Sequence, residues 1–251
     1  MKDFFADDDH RVLQRNGVAD FDSLWALELP AVDELNRGRG GWSGVYRLEV
    51  EGRAYYLKRQ SNYFARSLFS PFGEPTFARE FRNILLYQRR GIPALQAAYF
   101  GQRRKEGEVR AILLTRALDG WRDLSAWLSG WRDLERATRD AIVEACGRLA
   151  HRLHEAGQKH GCLYPKHIFL RREGDGFDAC LIDLEKTRPL LFGRGDRLRD
   201  IETLVRRARG WREGDIRGLL AAYLGLGADD AALDSWLGRM SARSLDKGAR
   251  A

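Results

Sequence analysis

The chain has 251 residues, 44% of them hydrophobic and 31% charged, with a formal net charge of +7. That is the composition of a globular protein, and a chain of this length buries enough apolar surface to fold without staples, so no disulfide scaffold is expected. The three cysteines, Cys146, Cys162 and Cys180, are odd in number and lack C-x-x-C spacing, which argues against a zinc site and fits a reducing compartment.

Residues 1–36 carry nine acids and three bases, a net charge of −6, and form an acidic N-terminal extension. Met1–Asp9 lacks the basic start and apolar core of a signal peptide, and no apolar run approaches the ~20 residues of a membrane span. A cytoplasmic protein is expected. The remaining 215 residues carry a net charge of +13, and only seven of the 43 basic residues are lysines. Such a surface favours an anionic partner: nucleotide, nucleic acid, anionic lipid or phosphorylated glycan. Genomic base composition explains the arginine preference equally well.

A helix-like stretch around Phe21–Leu29 precedes the loop Arg37-Gly38-Arg39-Gly40-Gly41-Trp42-Ser43-Gly44. Apolar residues then alternate through Val45–Val50, Glu51-Gly52 has the composition of a turn, and Ala54–Lys58 is a second, aromatic-rich strand. A loop ending in Pro71 and Pro75 leads into Thr76–Arg90, where Phe77, Phe81, Ile84, Leu85 and Tyr87 follow a helical period. Strands are expected at Ala97–Gln102 and Val109–Thr115, then a connector at Leu118–Trp121. From there the pattern turns helical: Ile142, Cys146, Leu149 and Leu153 form one stripe of a helix over Thr138–His154. An irregular stretch, His160–His167, leads to short strands at Ile168–Arg171 and Ala179–Leu184, and three helices follow Arg197 before a frayed tail, Lys247–Ala251.

Several residues in this order can carry chemistry. Gly40, Gly41 and Gly44 would let backbone N–H groups approach phosphate oxygens, although a plain turn explains them as well. Lys58 ends the next strand, 14 residues after Gly44, in a chain that otherwise prefers arginine. A compact ammonium there can pair nucleotide phosphates, and Glu80, 22 residues on, is its candidate partner on the following helix. Asp183, at the end of an apolar strand, is where a Mg²⁺ ligand is needed.

Together Gly41-Trp42-Ser43-Gly44-Val45, Tyr56-Leu57-Lys58-Arg59, Pro75–Phe81, Tyr164-x-x-His167-Ile168-Phe169 and Ile182-Asp183-Leu184 resemble the lipopolysaccharide kinase (InaA/WaaP) family over roughly residues 36–210. The resemblance implies an α+β, two-lobed protein-kinase-like fold, with a small β-rich N-lobe at 37–118 and a larger α-helical C-lobe at 119–251. It implies ATP and Mg²⁺ as cofactors and phosphorylation of a heptose in the lipopolysaccharide inner core, on the cytoplasmic face of the inner membrane. Lys58 would hold the α- and β-phosphates, Glu80 would orient Lys58, Asp183 and His167 would take the metal positions, and Asp200 would brace the catalytic loop. A peripheral membrane contact could come from the arginines at 194–209, and nucleic acid is not expected because no recognised motif supports it.

The sequence departs from the kinase pattern at one place. Where kinases carry the Asp that accepts or orients the acceptor proton, two residues after the loop His160, this chain has Cys162. Three readings stand: a weakened or inactive, pseudokinase-type protein; another group such as His160 or Glu185 in that role; or a loop alignment shifted by one residue.

Overall fold

The computed structural model describes residues 3–38, 40–67 and 70–248. They form two units, one running to Arg89 and including Ala94–Asp119, the other comprising Arg90–Pro93 and the chain from Gly120.

The first unit runs β1 (Phe4–Phe5), α1 (Asp7–Arg15), α2 (Phe21–Ala26), β2 (Asn36–Gly38), β3 (Gly41–Val50), β4 (Arg53–Ser61), β5 (Phe64–Ser67), β6 (Ser70–Pro75), α3 (Thr76–Arg89), β7 (Ala97–Lys105) and β8 (Glu108–Arg116). Six strands make one antiparallel sheet in the order β1-β7-β8-β4-β3-β2. The turn between β3 and β4 is the tight one its sequence announces: Glu51 and Gly52 both have left-handed φ, +48° and +73°, the geometry that matches the twist of a hairpin. On either side of it the alternation places Tyr46, Leu48, Val50, Tyr55 and Leu57 in one buried cluster with Tyr99, Ile112 and Leu114. Each fully buried aliphatic or aromatic side chain of this kind contributes about 1.5–3 kcal/mol relative to exposure.

The acidic segment before residue 37 is part of this unit. Phe4 and Phe5 pair with Phe100 and Tyr99 and so cover the edge of β7. Val12, Leu13, Phe21 and Leu24 close the apolar cluster. Asp7, Asp8 and Asp9 open α1, where the helix dipole favours negative charge. Asp9 is fully buried, accepting from Tyr55 Oη at 2.9 Å and Arg116 Nε at 2.9 Å.

One expectation is corrected here. The stretch ending in Pro71 and Pro75, expected as a loop, is a two-stranded sheet, with Phe64 opposite Pro75 and Ala65 opposite Glu74. Each strand of such a sheet has a partner on one side only, so a proline can sit where no ladder N–H is required. Leu68 and Phe69 of that stretch lie outside the described residues.

The second unit runs β9 (Arg122–Asp123), α4 (Leu124–Leu128), α5 (Arg136–Glu155), β10 (Gln158–Lys159), β11 (Ile168–Glu173), β12 (Gly176–Leu181), β13 (Arg188–Pro189), α6 (Arg194–Arg207), α7 (Glu213–Leu224) and α8 (Ala232–Gly248). The stripe Ile142, Cys146, Leu149 and Leu153 is buried, and α5 packs on α7. The crossing is close: a Cβ on Gly147 would stand 2.6 Å from the Leu219 carbonyl oxygen, so only glycine fits. Of the tail expected to fray, α8 includes Lys247 and Gly248, and 249–251 lie outside the described residues.

Candidate active site

In the first unit, β2 and β3 join through Gly38 and Gly41, with Gly40 between them at φ +82°. Nothing crowds Gly40, so it serves the left-handed backbone alone. Gly41 and Gly44 are glycine for another reason: a Cβ at Gly41 would collide with the Ser61 carbonyl oxygen, and one at Gly44 with the Leu35 side chain and Tyr46 Oη. These glycines therefore have packing requirements of their own, independent of any phosphate.

Lys58 sits mid-strand on β4, flanked by Val45 and Leu113 of the neighbouring strands. Its Nζ donates to Glu80 Oε1 of α3 at 2.7 Å, with side-chain exposures of 16% and 5%. A pair so removed from water keeps one geometry, because losing either partner would strand the other charge in a poorly solvated place.

A second tether, which sequence reasoning missed, fixes the same helix to the same strand. Gln60, two residues beyond Lys58 and fully buried, accepts from Thr76 Oγ1 at 2.8 Å and from the Phe77 amide at 2.9 Å. Its own amide donates to the Tyr63 carbonyl at 2.6 Å. Gln60 thus caps the first turn of α3 from a neighbouring strand, satisfying a donor that the helix itself cannot. The period-2 relation of residues 58 and 60 is the signal that could have pointed to it.

In the second unit the stretch from His160 to His167 is irregular backbone held by side chains. Asp200 of α6 accepts from the amides of His160 at 2.6 Å and Gly161 at 3.0 Å, and His154 Nε2 lies 3.4 Å from the same carboxylate. Charge-assisted bonds of this type contribute about 1.5–3 kcal/mol each. His160 donates through Nε2 to the Ile182 carbonyl at 2.9 Å, tying the loop to the residue before Asp183. Burial lowers its pKa against the opposing pull of that carbonyl, so the ring is neutral, and its Nδ1 is buried without a hydrogen-bond partner among the described residues. The Nε2 side of His160 is thus committed as a strut between the loop and the strand end.

Cys162 is buried, 6% exposed. Its carbonyl, not its sulfur, meets His167: Nδ1–H donates to it at 2.8 Å. No Cys–His nucleophile pair is formed by that contact. Lys186 lies against Cys162, whose proximity raises the lysine pKa against burial. With Nδ1 committed, His167 turns Nε2 toward Asp183 Oδ2 at 3.2 Å. Burial lowers the His167 pKa, and Asp183 opposes that shift. A neutral ring with this tautomer faces a carboxylate with a lone pair, an arrangement that a proton or a cation between them would relieve.

Asp183 itself has φ +56°, a left-handed backbone that is uncommon outside glycine, and its side chain is 44% exposed. This donor set fits Mg²⁺ sparsely, as that ion is normally held: one or two carboxylates, with waters and substrate phosphates completing the shell. Among the described residues no three His, Cys, Asp or Glu side chains are grouped as a metal cage. Nor is any described helix long and apolar enough to cross a membrane.

The antiparallel sheet with a helix pinned by a Lys–Glu pair, and the helical unit with a braced loop ahead of Asp183, define a protein-kinase-like fold. The solved structure of WaaP in complex with acyl carrier protein shares it, with a TM-score of 0.68 over 97% of this chain and 99% of that one, at 23% identity. Residues 22–223 match the Lipopolysaccharide kinase (Kdo/WaaP) family, and the chain belongs to that family. It is similar to Protein InaA of Escherichia coli, 34% identical over 172 residues that cover 67% of this chain and 79% of InaA. It is also similar to the lipopolysaccharide core heptose(I) kinase WaaP of Pseudomonas aeruginosa, 25% identical over 84% of this chain and 76% of that protein.

Proposed function

We propose that the chain is an ATP- and Mg²⁺-dependent phosphotransferase that phosphorylates a sugar hydroxyl, a heptose by the WaaP likeness, of the lipopolysaccharide inner core, working on the cytoplasmic face of the inner membrane. The observation that carries this reading is the buried Lys58–Glu80 pair, a preset ammonium of the kind that nucleotide phosphates require. Lys58 would bind the phosphates and Glu80 would hold Lys58 in place. Asp183 would hold Mg²⁺, with His167 beside it; when bound, the ion neutralises charge on the transferring phosphoryl group. Asp200 and His160 position the loop backbone, and their bonds need no substrate to form.

The test is calorimetric titration of the intact protein with Mg-ATP, alongside Lys58→Ala and Asp183→Ala. Binding that is lost in the first variant and weakened in the second supports the proposal. Absence of nucleotide binding in the unmodified chain overturns it.

Cys162 favours a second reading, a nucleotide-binding pseudokinase with a regulatory part in envelope biogenesis. A buried thiol stands where kinases carry the carboxylate that accepts the acceptor proton, and sulfur is a weak acceptor beside a carboxylate oxygen. Phosphotransfer to lipopolysaccharide acceptor by the unmodified chain would remove this reading.

A further inference from the structure

We propose that Arg206, Arg207 and Arg209 form an anion site for the phosphate group of the sugar acceptor, a subsite separate from the nucleotide residues; this rests on the phosphotransferase reading above. The three side chains line a cavity of about 380 Å³ at the C-terminal end of α6. Two other arginines of α6 are matched, Arg197 meeting Glu155 at 2.9 Å and Arg199 lying 3.8 Å from Asp196, while Arg194 lies over the Trp236 ring. Among the described residues, none of these three forms an ion pair. Three guanidinium groups around one hollow, with no carboxylate lining it among the described residues, leave room for an external anion as the counter-charge.

The helix end supplies one reason for cations here, since its dipole favours them. That accounts for one or two exposed arginines on the last turn, but not for Arg209, which lies beyond the helix and lines the same hollow. Guanidinium forks match phosphate oxygens two at a time, and three around one hollow suit a dianionic phosphomonoester better than a single carboxylate.

The position ties the site to the braced loop. The Arg207 guanidinium lies over the Tyr164 ring at 4.2 Å, and Tyr164 is two residues past Cys162 and packs on His167 at a ring separation of 5.2 Å. An anion held by Arg207 is thus one aromatic side chain away from the loop that carries Cys162 and His167. A sugar anchored there by its phosphate would have its orientation set relative to that loop.

The experiment is direct binding to the full-length protein without nucleotide, with glucosamine 6-phosphate, glucosamine and inorganic phosphate as probes. Phosphatidylcholine vesicles with and without phosphatidylglycerol form a separate arm. Glucosamine 6-phosphate is expected to bind more tightly than inorganic phosphate, and glucosamine not at all. The triple variant R206A/R207A/R209A is expected to lose roughly tenfold or more of that affinity, as charge-assisted bonds imply, with an unchanged melting temperature because the side chains are exposed. Arg209→Ala alone, off the helix, should weaken binding several-fold. ATP should not displace the sugar phosphate, and the triple variant should bind ATP normally.

Equal affinity of variant and unmodified protein overturns the site. So do displacement by ATP, inorganic phosphate binding as tightly as the sugar phosphate, or a response confined to anionic vesicles. Failure of the unmodified chain to bind ATP would sink the phosphotransferase reading and leave these binding results standing on their own.

Discussion

The two units hold their candidate residues in different ways. In the first, Lys58 and Glu80 sit on regular elements, a central strand and a helix, and α3 is held to β4 twice, by that ion pair and by Gln60. In the second, His160, Cys162, His167 and Asp183 sit on irregular backbone whose shape comes from side chains elsewhere: Asp200 on two amides, His160 on the Ile182 carbonyl and His167 on the Cys162 carbonyl. The first arrangement is complete as an ion pair, its ammonium and carboxylate both shielded from water and in contact. The second is braced as carefully, yet at the position where a carboxylate is expected it carries a buried thiol. The contrast teaches that scaffold and chemistry are separable: the named supports of the loop use the backbone at 162, not its side chain.

The sharpest way to break the contrast is Cys162→Asp. A general base contributes roughly 10²–10⁴-fold. Phosphotransfer to lipopolysaccharide acceptor should rise by a factor in that range if only the carboxylate is missing. An unchanged rate would mean that another group already does the work.

Next in size is Lys58→Ala, expected to reduce phosphotransfer by ~10²–10³-fold, the usual cost of removing one preset electrostatic contact to the reacting phosphates. Glu80→Gln should fall between this variant and the unmodified chain, since Lys58 keeps its charge but loses its anchor. If both variants transfer phosphate normally, the completeness of the first unit means nothing for function.

Gln60→Leu sharpens the comparison further. It removes the cap on α3 without touching Lys58 or Glu80, and stranding the Thr76 hydroxyl and Phe77 amide should cost about 1–3 kcal/mol in urea unfolding. Because the α3 register moves with it, ATP affinity should drop as well. A purely structural residue would change stability alone.

The smallest effect concerns pH. Burial opposes ionisation of Asp196, but Lys159 and the amides of Phe192 and Leu191 outweigh it and draw its pKa down to about 2. A depressed carboxyl stabilises the fold fully above its unfolded value of ~3.9. The contribution is lost as pH falls from there through the folded value. Asp196→Asn should therefore lower the melting temperature at pH 7, and the gap from the unmodified chain should narrow between pH 4 and pH 2. A gap that stays constant over that window would show that the Lys159–Asp196 pair does not contribute in this way.

How much of this could be read beforehand differs from element to element. The β3–β4 hairpin was legible because a strict two-residue alternation flanks Glu51-Gly52, and α3 and α5 because their apolar residues recur at helical spacing. Lys58 stood out because lysine is scarce in this chain, and Glu80 and Asp183 because their order after it resembles the kinase pattern. Strands β5 and β6 were hidden: two prolines ordinarily mark a loop, and only a sheet of two strands accommodates them. Residues 1–36 were equally opaque. Their acids had the composition of a detached segment, whereas Asp3 and Asp9 are the partners of Arg103 and Arg116 on the sheet. Charge counts describe a segment without saying which distant residue neutralises it.

What the sequence determined by itself is the set of local periods and the chain order of Lys58, Glu80, Cys162 and Asp183. These follow from residue type and spacing along a single strand or helix, where covalent geometry alone decides which side chains are neighbours. What only the tertiary structure decided is every partnership across long separations: Gln60 on the first turn of α3, Asp200 under the loop amides 40 and 39 residues away, and Arg207 over Tyr164. The reason is physical. A buried donor or acceptor must find a partner from whatever the packed chain brings within about 3 Å, and that neighbour is chosen by the fold as a whole rather than by the residues on either side.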